Sequence, residues 1–374
     1  MPIAPNEIVD CHMHVGLIGN EWPQFGRFSD WYKEQITYKV FLLYNDIPPE
    51  KATDAKLHEA IVRTLSTTMT VNRIVCLALD PVYDRNGNRH EESSHVWTAN
   101  EYVLKLRDEV GEKVLFGASV HPYRTDFEQQ VADCVSKGAV LLKWLPSAQQ
   151  FSLGDEKVGH AMKFLATAKG GKPLPLLLHC GPEYAIPTSD KKTWTYDFIS
   201  WDFLDRVKNI FTNRYTPDIA GTEYNLRGAL EAGAQIIFAH CGLPYFSSGI
   251  FGDLLEHSDF DAVKSWVAGN AGTSYSGRCY ADVSALCTPL RKSFFPAVAG
   301  MPADYLLLGS DFPTPVFELY GEREQQIQDL KEVMKGHIEH LIIPAGNLLD
   351  VNVEQLRRAF PDHALFTNFA GKLV

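Results

Sequence analysis

The chain places imidazole and carboxylate side chains at the ends of short apolar runs. His12 and His14 close the first run, and alternate residues of a strand share one face about 6–7 Å apart. His179 and His240 each close a later run, and Asp311 follows another one. Four imidazoles and one carboxylate suit a borderline divalent cation, with Zn²⁺ first and Mn²⁺ or Fe²⁺ as alternatives. The residue types therefore predict a metal site.

Lys143 is a sixth candidate ligand, because it interrupts the apolar run Ala139–Trp144. A lysine in such a run must have its charge desolvated or paired. Its ammonium could bind an anionic substrate, or its amine could react with carbon dioxide to form a carbamate that bridges two metal ions. In a third interpretation, the stem packs in the core and the ammonium reaches the rim. The sequence leaves all three open.

Three further residues are candidates for contact with a substrate. His121 and Arg124 follow the third apolar run, and the Arg124 guanidinium could bind a carboxylate. Trp144 ends the fourth run, next to Lys143. The evidence for these substrate contacts is weaker than that for the metal ligands, because residues in such loops commonly serve the loop's own structure.

Three of the seven cysteines, Cys11, Cys180 and Cys241, each neighbour a proposed ligand. Strand alternation sends neighbouring side chains to opposite faces, so these thiols are predicted to pack against helices and not to bind the metal. The odd number of cysteines and the absence of a Cys-x-x-Cys pair argue against a disulfide framework or a structural zinc finger.

The elements that position these residues are eight short apolar runs, most of them followed by a stretch with helical periodicity. Continuously apolar runs are typical of parallel strands that are buried on both faces. The carboxyl ends of barrel strands converge around one axis, which would bring the candidate ligands together. The sequence predicts an α/β protein, a (β/α)8 TIM barrel, with strands at Ile8–His14, Arg73–Leu79, Val114–Val120, Ala139–Trp144, Leu174–His179, Gln235–His240, Cys279–Val283 and Tyr305–Gly309.

Helical periodicity predicts the elements between the strands. The predicted helices are Ala52–Thr67, Ser94–Val110, Asp126–Lys137, Gly159–Ala168 and Ser258–Ala268, with a final helical region after Tyr320. Gly111 and Gly138 follow two of these stretches and fit C-terminal caps. No linker or change in composition divides the chain, so residues 1–374 are predicted to form a single domain.

Two connections are longer than ordinary loops: Val15 to Thr70 and Gly181 to Gly233. Both follow strands, and aromatic side chains there could cover a substrate pocket at the carboxyl face of the barrel. Alternatively, these rings pack under their own loops or form the interface of a homodimer. The rings are Trp22, Phe25, Phe28, Trp31 and Tyr32 in the first connection, and Trp194, Tyr196, Phe198, Trp201 and Phe203 in the second.

Composition limits the class of partner. The chain is 45% hydrophobic and 22% charged, with a net charge of −11. Nucleic acids and anionic membrane surfaces attract clustered Lys and Arg, so neither is expected as a partner. The start has no signal-peptide pattern, and no apolar run approaches the roughly 18 residues of a membrane span. We expect a cytoplasmic protein that acts on a small molecule.

Three motifs together resemble the amidohydrolase superfamily, in the branch of amidohydrolase-related (amidohydrolase-2) proteins, which are TIM-barrel metal-dependent hydrolases. The resemblance covers nearly the whole chain. It is carried by Val9-Asp10-Cys11-His12-Met13-His14, by the two strand-end histidines, and by Gly309-Ser310-Asp311-Phe312-Pro313, with a weaker match at Asn368-Phe369-Ala370-Gly371-Lys372-Leu373.

The resemblance implies a role for each matching position. His12, His14 and Asp311 would hold the more buried ion, and His179 would complete a one-metal site. His240 would then contact the substrate or the metal-bound water. A carbamylated Lys143 would instead bridge two ions, with His179 and His240 on the second. One ion is favoured over two.

A hydrolytic reaction follows from the chemistry of such a site. A bound divalent cation can lower the pKa of its water to about 7. Asp311 would accept the proton of that water, and His240, Lys143 or the metal would stabilise the oxyanion formed from an amide, ester or lactone. The resemblance also implies a first alternative, a nonoxidative decarboxylase of an aromatic or unsaturated carboxylic acid, because the branch includes such lyases with much the same ligands. A barrel that binds a ligand without catalysis is the second.

Overall fold

The structure is a computed structural model, and it describes residues 3–183, 186, 195–197, 219–243, 258–270, 277–286, 288, 291–314, 322–361 and 364–373. Its centre is an eight-stranded sheet in which every neighbouring pair is parallel. In chain order the strands are β1 Val9–His14, β2 Arg73–Leu77, β3 Val114–Ala118, β4 Ala139–Trp144, β5 Leu176–Leu178, β6 Gln235–Phe238, β7 Arg278–Asp282 and β8 Leu306–Leu307.

Hydrogen bonds between the first and last parts of the sheet close it into a barrel. The Cys11 N–H donates to the Leu308 carbonyl at 2.9 Å, and the His14 N–H donates to the Phe312 carbonyl at 2.8 Å. A parallel bridge joins Met13 to Phe312. The predicted (β/α)8 barrel is therefore confirmed, and all eight predicted strands are present with ends that differ by up to two residues.

Helices cover the outside of the barrel and connect its strands. Glycines at positive φ end two of them, Gly111 after Val110 and Gly138 close behind Ser136, as expected for left-handed C-terminal positions. No helix in the described ranges is long and apolar enough to cross a membrane. The α-helices are Asp30–Lys33, Ile36–Tyr44, Asp54–Thr67, Asn100–Val110, Phe127–Ser136, Pro146–Gln149, Glu156–Leu165, Ile219–Glu231, Ser258–Gly269, Phe295–Ala299, Arg323–Met334, Leu348–Ala359 and Asn368–Lys372.

The apolar core has two layers. An inner cluster takes side chains from every strand of the barrel, and the C-terminal helix packs against it through Phe369. An outer cluster joins the other faces of the strands to the helices. This burial on both faces explains why the strand sequences are continuously apolar. The inner cluster includes Val9, Cys11, Val75, Leu77, Leu115, Leu141, Leu177, Ile237, Tyr280 and Leu307.

The first long connection packs largely against the protein itself. Phe28 and Tyr32 are buried in the outer cluster, and Trp22, Phe25 and Trp31 pack against it while partly exposed. The first connection therefore follows the alternative prediction, in which the rings pack under their own loops. In the second connection, Trp194, Phe198, Trp201 and Phe203 lie outside the described residues.

Candidate metal centre

Three donor atoms converge at the carboxyl end of the barrel. Nε2 of His12 lies 3.1 Å from Nε2 of His14. Oδ1 of Asp311 lies 3.4 Å from the first nitrogen and 3.3 Å from the second. His12 and His14 end β1, and Asp311 follows β8, which the barrel closure places beside β1. The predicted strand-end ligands thus face one another across the closing seam.

The protonation states of these groups suit a cation. Burial is the largest influence on His14 and lowers its pKa to about 4, so the imidazole is neutral near pH 7. Burial acts to raise the pKa of Asp311, but His240, His14 and His12 hold it well below its usual range. A neutral His14 imidazole and an ionised carboxylate, with the His12 imidazole beside them, form a donor set that fits Zn²⁺ or a similar ion.

The backbone at the seam is held in an uncommon conformation. Asp311 has a φ of 56° and His240 a φ of 56°, both in the left-handed region that non-glycine residues seldom adopt. The Asp311 N–H donates to the His12 carbonyl at 2.7 Å, and the Thr314 hydroxyl donates to Asp311 Oδ2 at 2.7 Å. Surrounding hydrogen bonds therefore fix the carboxylate despite the local strain.

Lys143 lies inside the barrel and not at its rim. Its side chain is fully buried on β4, and its Nζ is 3.2 Å from Nε2 of His12. Burial lowers its pKa, against the opposing effect of Asp282 and Asp311. The interpretation in which the ammonium reaches the rim is wrong, because Lys143 shares the inward face of β4 with Leu141. An amine that binds an anion and a carbamate both remain open.

His240 and His179, the other two predicted strand-end histidines, lie in a row next to His12. The His240 ring centroid is 5.1 Å from that of His12 and 5.0 Å from that of His179. Nδ1 of His240 is 3.9 Å from Asp311 Oδ2, and burial lowers the pKa of His240 to about 3. Nε2 of His179 lies 3.5 Å from Glu183 Oε2.

Three polar residues at the site were not among the sequence candidates. Asp282 and Ser284 end and follow β7, and both contact Nδ1 of His12, at 2.9 Å and 3.1 Å. Glu183 is buried beside His179. Asp282 is a polar residue at the carboxyl end of an apolar run, as the predicted ligands are. The same pattern could therefore have identified it from the sequence.

The structure does not bring Trp144, His121 or Arg124 to the donor set. Trp144 alternates with inward-facing Lys143, so its ring lies in the outer cluster and its Nε1 donates to the Val120 carbonyl. The two nitrogens of His121 bond to backbone groups of Gln149 and Tyr123. Packing and hydrogen bonds to the backbone occupy both side chains, and their predicted substrate contacts stay predictions.

Arg124 is already neutralised by carboxylates of its own region. Its Nε donates to Asp126 at 2.9 Å, its Nη1 lies 3.4 Å from Asp80, and it also donates to the Tyr83 hydroxyl at 2.7 Å. These contacts tie the guanidinium to its own part of the chain, and the predicted substrate contact of Arg124 stays a prediction.

The cysteine prediction is correct for two residues and wrong for one. Cys180 and Cys241 lie in the outer cluster, with their thiols directed to the carbonyls of Ala239 and Asp282. Cys11 lies in the inner cluster instead. The pairing of β1 with β2 shifts register between Asp10 and Met13, and a bulge there breaks the alternation on which the prediction depended.

Replacing Cys180 by serine is expected to leave the metal content unchanged. The thiol faces the outer cluster and hydrogen-bonds to a backbone carbonyl, which a hydroxyl also does. Inductively coupled plasma mass spectrometry on the purified variant and the wild type checks this. A loss of stoichiometric metal in Cys180→Ser would mean that this thiol reaches the ion and that the assigned facing is incorrect.

No protein-family model matches the sequence, and no curated protein matches it. Several solved structures are similar over most of the chain. A probable 2-pyrone-4,6-dicarboxylic acid hydrolase from Acinetobacter baumannii, with citric acid bound, is 15% identical, with 94% of this chain and 98% of that chain covered and a TM-score of 0.42.

Two further structures have similar scores. A 5-carboxyvanillate decarboxylase from Novosphingobium aromaticivorans, with bound manganese, is 10% identical, with coverage of 96% of this chain and 99% of that one and a TM-score of 0.42. An amidohydrolase 2 from Bifidobacterium longum subsp. infantis is 14% identical, with coverage of 94% and 97% and a TM-score of 0.39. Sequence identities of 10–15% and TM-scores of 0.39–0.42 do not identify a reaction.

Proposed function

We propose that this chain is a metal-dependent hydrolase that cleaves an amide, ester or lactone bond of a small molecule. The observation that carries the proposal is the convergence of His12 Nε2, His14 Nε2 and Asp311 Oδ1 within 3.1–3.4 Å of one another. Three lone-pair donors this close repel one another unless a proton or a cation lies between them. With two imidazoles and a carboxylate this close together, a divalent cation fits best.

His12, His14 and Asp311 would hold the ion, with His179 as a further ligand and zinc as the proposed metal. When bound, such an ion polarises a substrate carbonyl and lowers the pKa of water to about 7. The protein's own contribution is to keep its ligands in the binding state. Burial of His14 and the neighbours of Asp311 achieve this near neutral pH.

Asp311 is the residue that accepts the proton of the attacking water. Its Oδ1 faces His12 and His14, while Oδ2 faces the Thr314 hydroxyl and lies 3.9 Å from Nδ1 of His240. A proton on Oδ2 would therefore be held beside a neutral imidazole and could pass to the leaving group. His240 and Lys143 are placed near enough to this carboxylate to stabilise a developing oxyanion.

Lys143 determines whether one ion or two is used. Its buried Nζ faces His12 at 3.2 Å, which supports a single ion with an amine at the substrate side. Carbamylation would supply a carboxylate at the same place and allow a second ion with His179 and His240. We favour one ion.

A nonoxidative decarboxylase is the second candidate, and Lys143 is the observation that favours it. When protonated, the buried Lys143 amine would provide a counter-charge for a substrate carboxylate. In that reaction Asp311 would help to protonate the ring carbon before carbon dioxide leaves. Release of carbon dioxide from an aromatic or unsaturated carboxylic acid, with no hydrolysis of amides, esters or lactones, would replace the hydrolase by the lyase.

Removal of the metal is expected to abolish turnover, and Zn²⁺ or Mn²⁺ is expected to restore it. The experiment treats the purified protein with a chelator, assays a panel of amides, esters, lactones and aromatic carboxylic acids, and then adds each ion back. Intact mass spectrometry and metal analysis on the same samples count the ions and detect a carbamate on Lys143. Activity that survives complete metal removal would contradict the proposal, and stoichiometric metal without turnover of any class would favour a ligand-binding barrel.

The partner is proposed from the position of the donor set, and the compartment is proposed from the cysteines. We propose a small-molecule substrate for the protein, because the donor set lies inside a barrel mouth and not on an open surface. The described cysteines form no disulfide within the described part of the chain, which supports a reducing compartment such as the cytoplasm.

A further inference from the structure

One carboxylate beneath the donor set makes hydrogen bonds to several of its members. Asp282 ends β7 and is completely buried. Its Oδ2 lies 2.9 Å from Nδ1 of His12. Its Oδ1 accepts from the backbone N–H of His240 at 2.9 Å, from the backbone N–H of Ser284 at 3.0 Å, and from the Ser284 hydroxyl. Both oxygens are therefore occupied by donors.

These contacts determine where His12 carries its hydrogen. An ionised carboxylate only accepts hydrogen bonds, so Nδ1 of His12 must be the donor. The backbone N–H groups of His240 and Ser284 and the Ser284 hydroxyl all donate to Asp282, and such donors favour its carboxylate form. With the hydrogen on Nδ1, the lone pair of a neutral His12 lies on Nε2, the nitrogen that faces His14 and Asp311.

Ser284 extends the same constraint to His240. Its hydroxyl donates to Asp282, so the oxygen is free to accept from Nδ1 of His240 at 2.8 Å. The Ser284 carbonyl lies 3.3 Å from the same nitrogen and can only accept. Both contacts require a hydrogen on Nδ1 of His240, which leaves Nε2 as its basic nitrogen.

We propose that Asp282 is the positioning residue of the site, which sets the tautomer of His12 directly and that of His240 through Ser284. The consequence for metal binding rests on the proposed function, whereas the tautomer assignment does not. Asp282 is not assigned as a ligand itself, because its two oxygens already accept from groups of His12, His240 and Ser284. Carboxylates that bond to the second nitrogen of a ligand histidine typically change metal affinity 10–100-fold when they are replaced.

Asparagine at position 282 would reverse the tautomer of His12. Two backbone N–H groups contact Oδ1, so the amide oxygen must take that side. The amide NH₂ then faces Nδ1 of His12, which becomes the acceptor, and the hydrogen moves to Nε2. A protonated Nε2 has no lone pair for a metal ion.

The matched control is Asp10→Asn. Asp10 is also a fully buried carboxylate beside His12, and its Oδ1 accepts from the N–H groups of His12 and Ser310 at 3.0 Å and 2.9 Å. These hydrogen bonds, and a further one with the Ser310 side chain, do not involve an imidazole. Asparagine keeps the Oδ1 acceptor, so this variant tests loss of a buried negative charge without a change of tautomer.

Side-chain ¹⁵N NMR on the metal-free protein measures the tautomers, and zinc titration against a competing chelator measures affinity. We expect Nδ1–H on His12 and His240 in the wild type, with His12→Ala and His240→Ala spectra as assignments. Asp282→Asn should place the hydrogen of His12 on Nε2 and weaken zinc binding by about 10–100-fold. Ser284→Ala should keep Nδ1–H on His12, which still faces Asp282, and should raise the Nε2–H share of His240, whose Nδ1 then keeps only the 3.3 Å contact with the backbone carbonyl. Asp10→Asn should retain both tautomers and bind zinc within about threefold of the wild type.

The results separate the two proposals. An Nε2–H tautomer of His12 in the wild type, or an unchanged tautomer in Asp282→Asn, would overturn the role of Asp282. Equal losses of zinc affinity in Asp282→Asn and Asp10→Asn would also overturn it, since charge alone would then explain the effect. A wild-type protein with the expected tautomers but no zinc site would instead refute the metal-dependent function and leave the tautomer assignment standing.

Discussion

Asp311→Asn is expected to lower kcat by about 10²–10⁴-fold, the usual contribution of a general base, while the barrel stays folded. The amide has nearly the same shape as the carboxylate and can still accept the hydrogen bond from Thr314. It has no negative charge for the ion and cannot accept the proton of water. His12→Ala should go further and remove the metal, because His12 lies between His14, Asp311 and Lys143.

Metal content by mass spectrometry, turnover and circular dichroism together check this prediction. His160→Ala is the control for the loss of an imidazole, since His160 lies exposed on the helix Glu156–Leu165 and its side chain is 78% accessible. That variant should keep full metal content and activity. Wild-type turnover in either Asp311→Asn or His12→Ala would refute the assigned roles, and a loss of native circular dichroism would show that the site also supports the fold.

The barrel was predictable because its signal is repeated eight times. Continuous apolar runs, each ending near a polar residue, identify strands such as β4 and β6 with little error. The strand ends are less regular: the predicted strand Leu174–His179 is a strand over Leu176–Leu178, although the His179 N–H still donates to the Trp144 carbonyl at 2.9 Å. Apolarity alone does not locate the residue at which a strand ends.

The facing of residues on β1 was the part that the sequence could not provide. Strict alternation puts Cys11 opposite to His12, yet both lie on the inner side, since the register with β2 shifts between Asp10 and Met13. A bulge depends on the neighbouring strand and on the barrel seam, and neither is visible in a local pattern. The left-handed backbone at His240 and Asp311 has the same origin, because tertiary hydrogen bonds hold it.

One buried carboxylate anchors the chain segment that follows the ligands of β1. Asp54 begins the helix Asp54–Thr67, and its two oxygens accept from the N–H groups of Ile18, Gly19, Glu21 and Trp22 at 2.7–2.8 Å. The side chain is completely buried. It therefore ties the turn after His14 to the start of a helix, where a negative charge also interacts favourably with the helix dipole.

Asp54→Ala is expected to lower the free energy of unfolding by about 3 kcal/mol or more. Each buried donor that loses its partner costs about 1–3 kcal/mol, and the N–H of Ile18 is the most enclosed of the four, since the residue is only 4% exposed. Asp54→Asn should lose less, because the amide retains one oxygen that can serve one pair of donors. Urea unfolding followed by circular dichroism measures both variants.

Asp30→Asn is the matched control for this carboxylate. Asp30 also begins a helix, but its side chain is fully exposed and pairs only with Lys33 three residues later. Its replacement should change stability by no more than about 0.5 kcal/mol, as is usual for surface positions. Similar losses of stability in Asp54→Asn and Asp30→Asn would show that the charge at the start of the helix is the cause. A loss confined to position 54 assigns the effect to the four backbone donors, and hence to the segment that leads away from His14.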